Sequence, residues 1–360
     1  MKKYFLAVAS FFIYSHISLG QVYPGQMDST FVPVRSHHYD PELTFDFCVN
    51  EPAWSNQAGI HSAFGSTDRL YFRKEVPVNH DNDLSSSYST TVWRGERANA
   101  QILVWSSEAL EQVRVSTQDL RSAEGNIIPK DRITFELVRY VLSNYPYAEK
   151  KAICGESPYK SGFLMPDRFE TLDRFDLPSQ TTRPVWMMVD VPRGTAPGTY
   201  KGKVEVRAKG KAPQLLNLEI VVQNQLLPYP KDWKYRLDLW QNPWAVAWYN
   251  HVEPWSPEHK MLLKQHLKHY ADAGGTYITT YGVHSPWSDN SYMIEGGMIE
   301  WIKKADGTWA FDYKIFDEYV ELAMECGIDE AITLYTPIPW GFRHRYKDEA
   351  TGDYLSLIHI

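Results

Sequence analysis

The sequence has little cysteine, no excess of positive charge, and no glycine-rich phosphate loop. Cysteine occurs only as Cys48, Cys154 and Cys326, an odd count without metal-ligand spacing. That argues against a disulfide framework and leaves room for one disulfide at most. Lys and Arg total 37 against 44 Asp and Glu, a net charge of −7. A chain without a basic footprint is a poor partner for nucleic acid. Beyond the N-terminus no apolar run is long enough to span a bilayer. No Gly-rich fingerprint follows the first strand of the second half, which disfavours a nucleotide-binding sheet. No metal or other cofactor is expected from these absences.

What is present begins with "MKKYFLAVASFFIYSHISLGQ". Lys2 and Lys3, an apolar run, then Ser18 and Gly20 make a secretory signal, residues 1–20, with cleavage before Gln21. The expectation is an exported, periplasmic or extracellular protein. No cysteine directly follows the cleavage point, which argues against a lipid anchor there. Aromatic residues reach 14%, with 13 Trp and 23 Tyr. Such side chains fill strands and cores. Their flat faces also suit the C–H side of a sugar ring while their polar edges take hydroxyls.

Two textures meet near "QNQLLPYPKDWKYR", where Pro228 and Pro230 mark a linker. The first half, residues 21–228, reads as short strands. "TTVWRGERANAQILVWSS" carries Val92, Trp93, Ile102, Val104 and Trp105; "EQVRVSTQDL", "RPVWMMVDVP" and "LLNLEIVVQNQ" continue the style. In "RGTAPGTYKGKVEVRA", Pro197-Gly198 and Gly202 punctuate a turn into a strand with Val204 and Val206 on one face. Repeated short strands with turn signals predict a β-sandwich.

The second half, residues 229–354, alternates strands with helices. "YRLDLWQ" reads as a strand. "SPEHKMLLKQHLKHYADAGG" reads as a helix with Ser256 as N-cap, Pro257 at the first position and Gly274 as its stop. Leu263, Leu267, Tyr270 and Ala271 give it one apolar stripe. "TYITTYGV" is the next strand. After an insertion with a hairpin predicted around Asp306-Gly307, "DYKIFDEYVELAMECG" is a second helix with Phe316, Val320 and Ala323 on one face and Gly327 as its end. "AITLYTP" is a third strand. This order means parallel α/β units, in a doubly wound sheet or a (β/α)8 barrel.

In either arrangement the C-terminal strand ends share one mouth. The first presents Trp240, Asn242 and Trp244; the second Tyr281, His284, Trp287 and Asp289; the third Tyr335, Trp340, Arg343 and His344. Of these, Trp240, Tyr281, His284, Tyr335 and Trp340 are the candidate substrate-binding residues. Glycosidic cleavage needs carboxyl groups around the bond. Asp317-Glu318 falls on an outer helix, Asp329-Glu330 before the third strand, and Asp348-Glu349 in a loop after it. None of the three makes a convincing catalytic pair.

The motifs "DLWQNPWAVAWY", "VEPWSPEH", "YADAGGTYITTYGVHSPWSDNSYMIEGGMIEW", "FDYKIFDEYVELAMECGI" and "ITLYTPIPWGFR" resemble the catalytic domain of family 123 glycoside hydrolases. "VWRGERANAQILVW" and "APGTYKGKVEV" resemble that family's N-terminal domain. The resemblance runs from about Phe45 to Tyr354. It implies a (β/α)8 barrel and exo-β-N-acetylgalactosaminidase activity on a glycan with a terminal N-acetylhexosamine. It further implies an adjacent Asp-Glu pair after the fourth barrel strand. The Asp steadies the substrate's own acetamido group as it attacks the anomeric carbon, and the Glu is general acid/base.

From Tyr235 to Tyr354 the chain has about half of the roughly 250 residues of a complete barrel. The expectation is an incomplete (β/α)8 barrel of about three βα units, with no positions matching the catalytic pair and no hydrolytic activity of its own. Residues 355–360, "LSLIHI", match the conceptual translation of a common transposon-based sequencing adapter and are expected to be read-through. The competing reading is a secreted or surface glycan-binding protein whose barrel has lost its chemistry.

Overall fold

The computed structural model describes residues 54–77, 83–143, 163–171, 173–282, 297–335 and 343–358. The signal segment, Cys48, Cys154, His284 and Trp340 lie outside them. The chain divides into two compact units, Met1–Leu227 and Pro228–Ile360.

The first unit is built from β1 (His61–Gly65), β2 (Ser87–Arg94), β3 (Arg97–Ser106), β4 (Leu110–Thr117), β5 (Leu120–Arg121), β6 (Ile127–Ile128), β7 (Ile133–Ser143), β8 (Phe163–Thr171), β9 (Phe175–Leu177), β10 (Thr181–Asp190), β11 (Gly198–Arg207) and β12 (Gln214–Leu226). One sheet runs β1-β3-β10-β7-β8 and the other β2-β12-β11-β4-β9, with β5 paired to β11 and β6 to β5. Alternation explains the layering. Tyr200, Val204 and Val206 of β11 and Leu216, Leu218, Ile220 and Val222 of β12 turn inward, against Ile102, Val104, Val185 and Met187 of the opposite sheet.

The stretch around "VWRGERANAQ" is two strands rather than one. β2 pairs with β12 in one sheet and β3 with β1 and β10 in the other. The crossing is made at Gly95, whose φ of +85° suits glycine. The Trp93 N–H donates to Glu96 Oε2 at 2.7 Å across the corner. Val92 is buried and Trp93 is exposed. A polar cluster also lies inside this unit: fully buried Arg139 pairs with Glu170 at 2.9 Å, and the Arg183 guanidinium sits 4.9 Å from the centre of the Tyr140 ring.

The second unit contains α1 (Pro243–Asn250), α2 (Pro257–Asp272), β13 (Tyr277–Tyr281), β14 (Glu300–Lys303), β15 (Trp309–Asp312), α3 (Lys314–Glu325), β16 (Ala331–Tyr335), β17 (Arg343–Asp348) and β18 (Tyr354–Ile358). The α2 boundaries follow its chemistry. Ser256 accepts from the His259 N–H, Pro257 occupies the first turn, and Gly274 follows with φ +93°. Leu263 and Leu267 are buried, with Tyr270 and Ala271 packed beside them. On α3 the buried side is centred on Tyr319 and Ala323, flanked by Phe316. Val320 lies at the margin of that face rather than at its middle.

β13 and β16 pair in parallel, Tyr281 opposite Tyr335, with α3 as the crossover between them. The expected first strand, "YRLDLWQ", is reduced to a single parallel bridge, Leu237 to Gly275. Side chains take the place of a ladder. The Tyr270 hydroxyl donates to Leu237 O at 2.8 Å and accepts from the Leu239 N–H at 3.3 Å. The Thr279 N–H donates to Gln241 Oε1 at 2.8 Å. Backbone groups satisfied this way need no neighbouring strand.

Three strand–helix repeats are therefore not what is observed. Two parallel strands and a bridged segment form the α/β part, and α1 follows that segment directly. Among the described residues no helix follows β16. The insertion hairpin is present, β14 against β15, closed by the Lys304 N–H to Thr308 O at 2.8 Å. It joins a second sheet of order β15-β14-β17-β18. Arg343 and His344 open β17, and Leu355–Ile358 pair antiparallel to it. Among the described residues no helix is long and apolar enough to cross a membrane.

Candidate functional site

Period-two alternation along the parallel strands sets out the candidate site. Thr279 and Tyr281 of β13 and Thr333 and Tyr335 of β16 share one sheet face. The segment before α1 adds Asp238 and Trp240 to it: Thr333 Oγ1 donates to Asp238 Oδ2 at 3.3 Å, and the Trp240 and Tyr335 rings meet edge-on at 4.8 Å. Tyr281 and Tyr335 follow at 5.8 Å. Three of the five residues picked from the sequence are thus brought together at the C-terminal ends of the strands. His284 and Trp340 lie outside the described residues.

The three differ in what they can touch. Trp240 is 55% exposed and Tyr335 is half-buried. Tyr281 is fully buried, and its hydroxyl donates to Gln241 O at 2.5 Å. Its ring packs on Trp244 at 5.5 Å, so it serves as the floor beneath the other two. Trp244 is 3% exposed and belongs to the core. Asn242 caps α1, its Oδ1 accepting from the Ala245 N–H at 3.3 Å. This helix was missed from the sequence, although Asn-Pro ahead of an apolar run is a start signal.

The acid pairs are accounted for individually. Glu318 pairs with Lys260 at 2.9 Å, and Asp317 is exposed on α3. Glu330 accepts from Thr276 Oγ1 at 2.9 Å, at the N-terminal ends of the parallel strands. Asp348 holds the turn after β17, its Oδ1 accepting from the Ala350 N–H at 2.9 Å, while Glu349 pairs with Lys304 at 2.7 Å. None of these faces Trp240 and Tyr335. Among the described residues no group of three or more His, Cys, Asp or Glu side chains could hold a metal ion. Cys326 is a free, buried thiol whose pKa burial pushes up.

Close by, His259 is fully buried between α1 and α2. Its Nδ1 accepts from the Trp255 N–H at 2.8 Å, which leaves Nε2 to donate to Pro243 O at 2.8 Å. This pattern requires the neutral ring, and burial pushes its pKa down.

The sequence matches the family profile of the glycoside hydrolase 123 N-terminal domain over residues 64–208 and that of the glycoside hydrolase 123 catalytic domain over residues 240–360. The chain thus belongs to glycoside hydrolase family 123. No curated protein sequence matches it significantly. Among solved structures it is similar to a family 123 glycoside hydrolase from Clostridium perfringens described in terms of glycolipid glycan hydrolysis. That likeness has a TM-score of 0.72 and 24% identity, and covers 84% of this chain and 52% of the other. The chain therefore spans about half the length of that relative, and at this identity the likeness speaks for the fold. A Bacteroides ovatus GH5 xyloglucanase, 9% identical over 69% of this chain and 44% of its own, gives a TM-score of 0.20. A PapD-like domain of human CEP192, 11% identical over 51% of this chain and 99% of its own, gives 0.21. Neither score bears on the fold.

Proposed function

We propose that this chain is the N-terminal part of an exported exo-β-N-acetylgalactosaminidase. In the complete protein, the parallel strands continue into a (β/α)8 barrel. The carboxylate pair after a fourth strand orients the substrate's acetamido group and protonates the leaving oxygen, with net retention at the anomeric carbon. The 360-residue chain holds one wall of the sugar site and hydrolyses nothing by itself. Residues 1–20 direct export and are removed before Gln21.

The observation that carries the reading is the convergence of Trp240, Tyr281 and Tyr335 on one face at the C-terminal strand ends, where α/β barrels build their sites. An exposed indole braced by a tyrosine edge offers a flat apolar surface for a pyranose. The competing reading, a glycan-binding protein without chemistry, draws on the absence of any Asp-Glu pair facing that surface among the described residues. An aryl β-N-acetylgalactosaminide separates the two. The chain is expected to leave it intact, and the protein extended through the rest of its gene is expected to release the phenol. Turnover by the chain alone refutes the missing-acid argument. A well-folded extended protein that carries the pair and fails to turn over favours the binding reading.

A further inference from the structure

Behind the strand-end aromatics, with Trp244 between it and Tyr281, the second unit holds an open cavity of about 660 Å³ between the start of α2, the start of α3 and the β14–β15 hairpin. The size falls within the about 300–1,000 Å³ of small-molecule pockets. Its aromatic lining includes Trp255 and Trp301, with Trp244, Tyr346 and Tyr354. Trp301 is held edge-on by Phe311 at 5.0 Å and by Trp309 at 6.1 Å, with His344 at 5.8 Å. Its ring plane is fixed before any ligand arrives.

Trp255 is held in a strained backbone. Its φ is +66°, a region bulky residues avoid and which persists only where surroundings over-determine it. Here the surroundings are His259 Nδ1, which takes the Trp255 N–H, and the rings of Trp244 at 5.5 Å and Tyr319 at 6.0 Å. Strain of this kind concentrates at binding sites, because it aims a side chain that an ordinary turn would point elsewhere.

Charge selects the ligand. Glu253, Glu300, Asp312 and Glu318 line the cavity with Lys260, Lys314 and Arg345. Lys260 pairs with Glu318 at 2.9 Å, the Glu300 carboxylate accepts from the Tyr354 hydroxyl, and Asp312 Oδ1 accepts from the Lys314 backbone N–H at 2.8 Å. A near-balanced lining offers little to an anion, and the residues form no metal cluster. Carboxylate oxygens beside fixed indole faces are what a neutral polyol needs, acceptors for hydroxyls and a platform for C–H groups.

We propose that this cavity is a second saccharide site, taking a neutral oligosaccharide and distinct from the strand-end surface of Trp240 and Tyr335. It lies beyond the hydrolytic reading and needs no catalysis, so its test is independent of turnover. The test is calorimetric titration of the 360-residue chain with lactose and with methyl GalNAcβ1-3Gal, using 3′-sialyllactose as the charged control. At least one neutral sugar is expected to bind. Trp301→Ala is expected to weaken that binding about tenfold and Glu253→Gln to weaken it measurably. Trp93→Ala, an exposed indole of the other unit, is expected to leave it unchanged. If Trp301→Ala unfolds the hairpin by circular dichroism, Trp301→Phe and Glu253→Gln decide. Absence of binding by both neutral sugars overturns the proposal. So does preference for 3′-sialyllactose, or binding that survives Trp301→Ala and Glu253→Gln but is lost in Trp240→Ala.

Discussion

Gly275→Ala isolates the contact that replaces the missing first strand. Gly275 has no left-handed φ, so alanine brings no backbone strain there and the effect is purely steric. The new Cβ would stand 2.2 Å from Cζ and 2.3 Å from Cε2 of Tyr270. Comfortable carbon contacts lie at about 3.5–4.0 Å, so the ring must retreat by more than about 1 Å. It has little freedom to do so, because its hydroxyl holds Leu237 O and the Leu239 N–H and lies 3.0 Å from Tyr277 O. Overpacking of this kind costs about 1–3 kcal/mol, which lowers Tm by about 3–5 °C per kcal/mol for a unit of this size. The assay is urea unfolding followed by tryptophan fluorescence, with Tyr270→Ala and the double variant alongside. Removing the ring relieves the clash, so the double variant should be about 1–2 kcal/mol less destabilised than the two single changes added together. A neutral Gly275→Ala, or strict additivity, refutes the account of how this segment is held.

His259 makes stability depend on pH. Its folded pKa is depressed, so its contribution is fully present above the unfolded value of about 6.5 and is lost as pH falls through the lower folded value. Tm measured from pH 7.5 to 5 should fall, and His259→Phe should flatten that slope. In the sandwich, Arg139→Met leaves the Glu170 carboxylate buried without its partner and should cost about 3–5 kcal/mol; a change below 1 kcal/mol would mean that water replaces the guanidinium. N-terminal sequencing of secreted protein should begin at Gln21, and a retained Met1 counts against the signal reading.

Much of the local structure was legible because it is set by neighbours in sequence. Ser256, Pro257 and Gly274 bound α2, Asp306-Gly307 turns the hairpin, and the alternation of Val204 and Val206 marks the core face of β11. What escaped depends on distant partners. "YRLDLWQ" has strand composition, yet Tyr270 and Gln241 satisfy its backbone, and nothing within the seven residues shows this. The β17–β18 hairpin joins β14 through residues some forty positions apart. Tyr281 reads as part of a sugar wall, but Trp244 and Gln241 cover it. The strained Trp255 looked like an ordinary residue beside proline; its geometry arises from His259 on the next helical turn.

The central claim, that the strand-end aromatics form the sugar wall of a family 123 site, is tested most directly by kcat/KM of the extended protein on an aryl β-N-acetylgalactosaminide. Replacing Trp240 by Ala removes the exposed face that Tyr335 braces, and the account predicts a loss of about tenfold, partly restored by Trp240→Phe. An unchanged kcat/KM in a folded Trp240→Ala enzyme would contradict it.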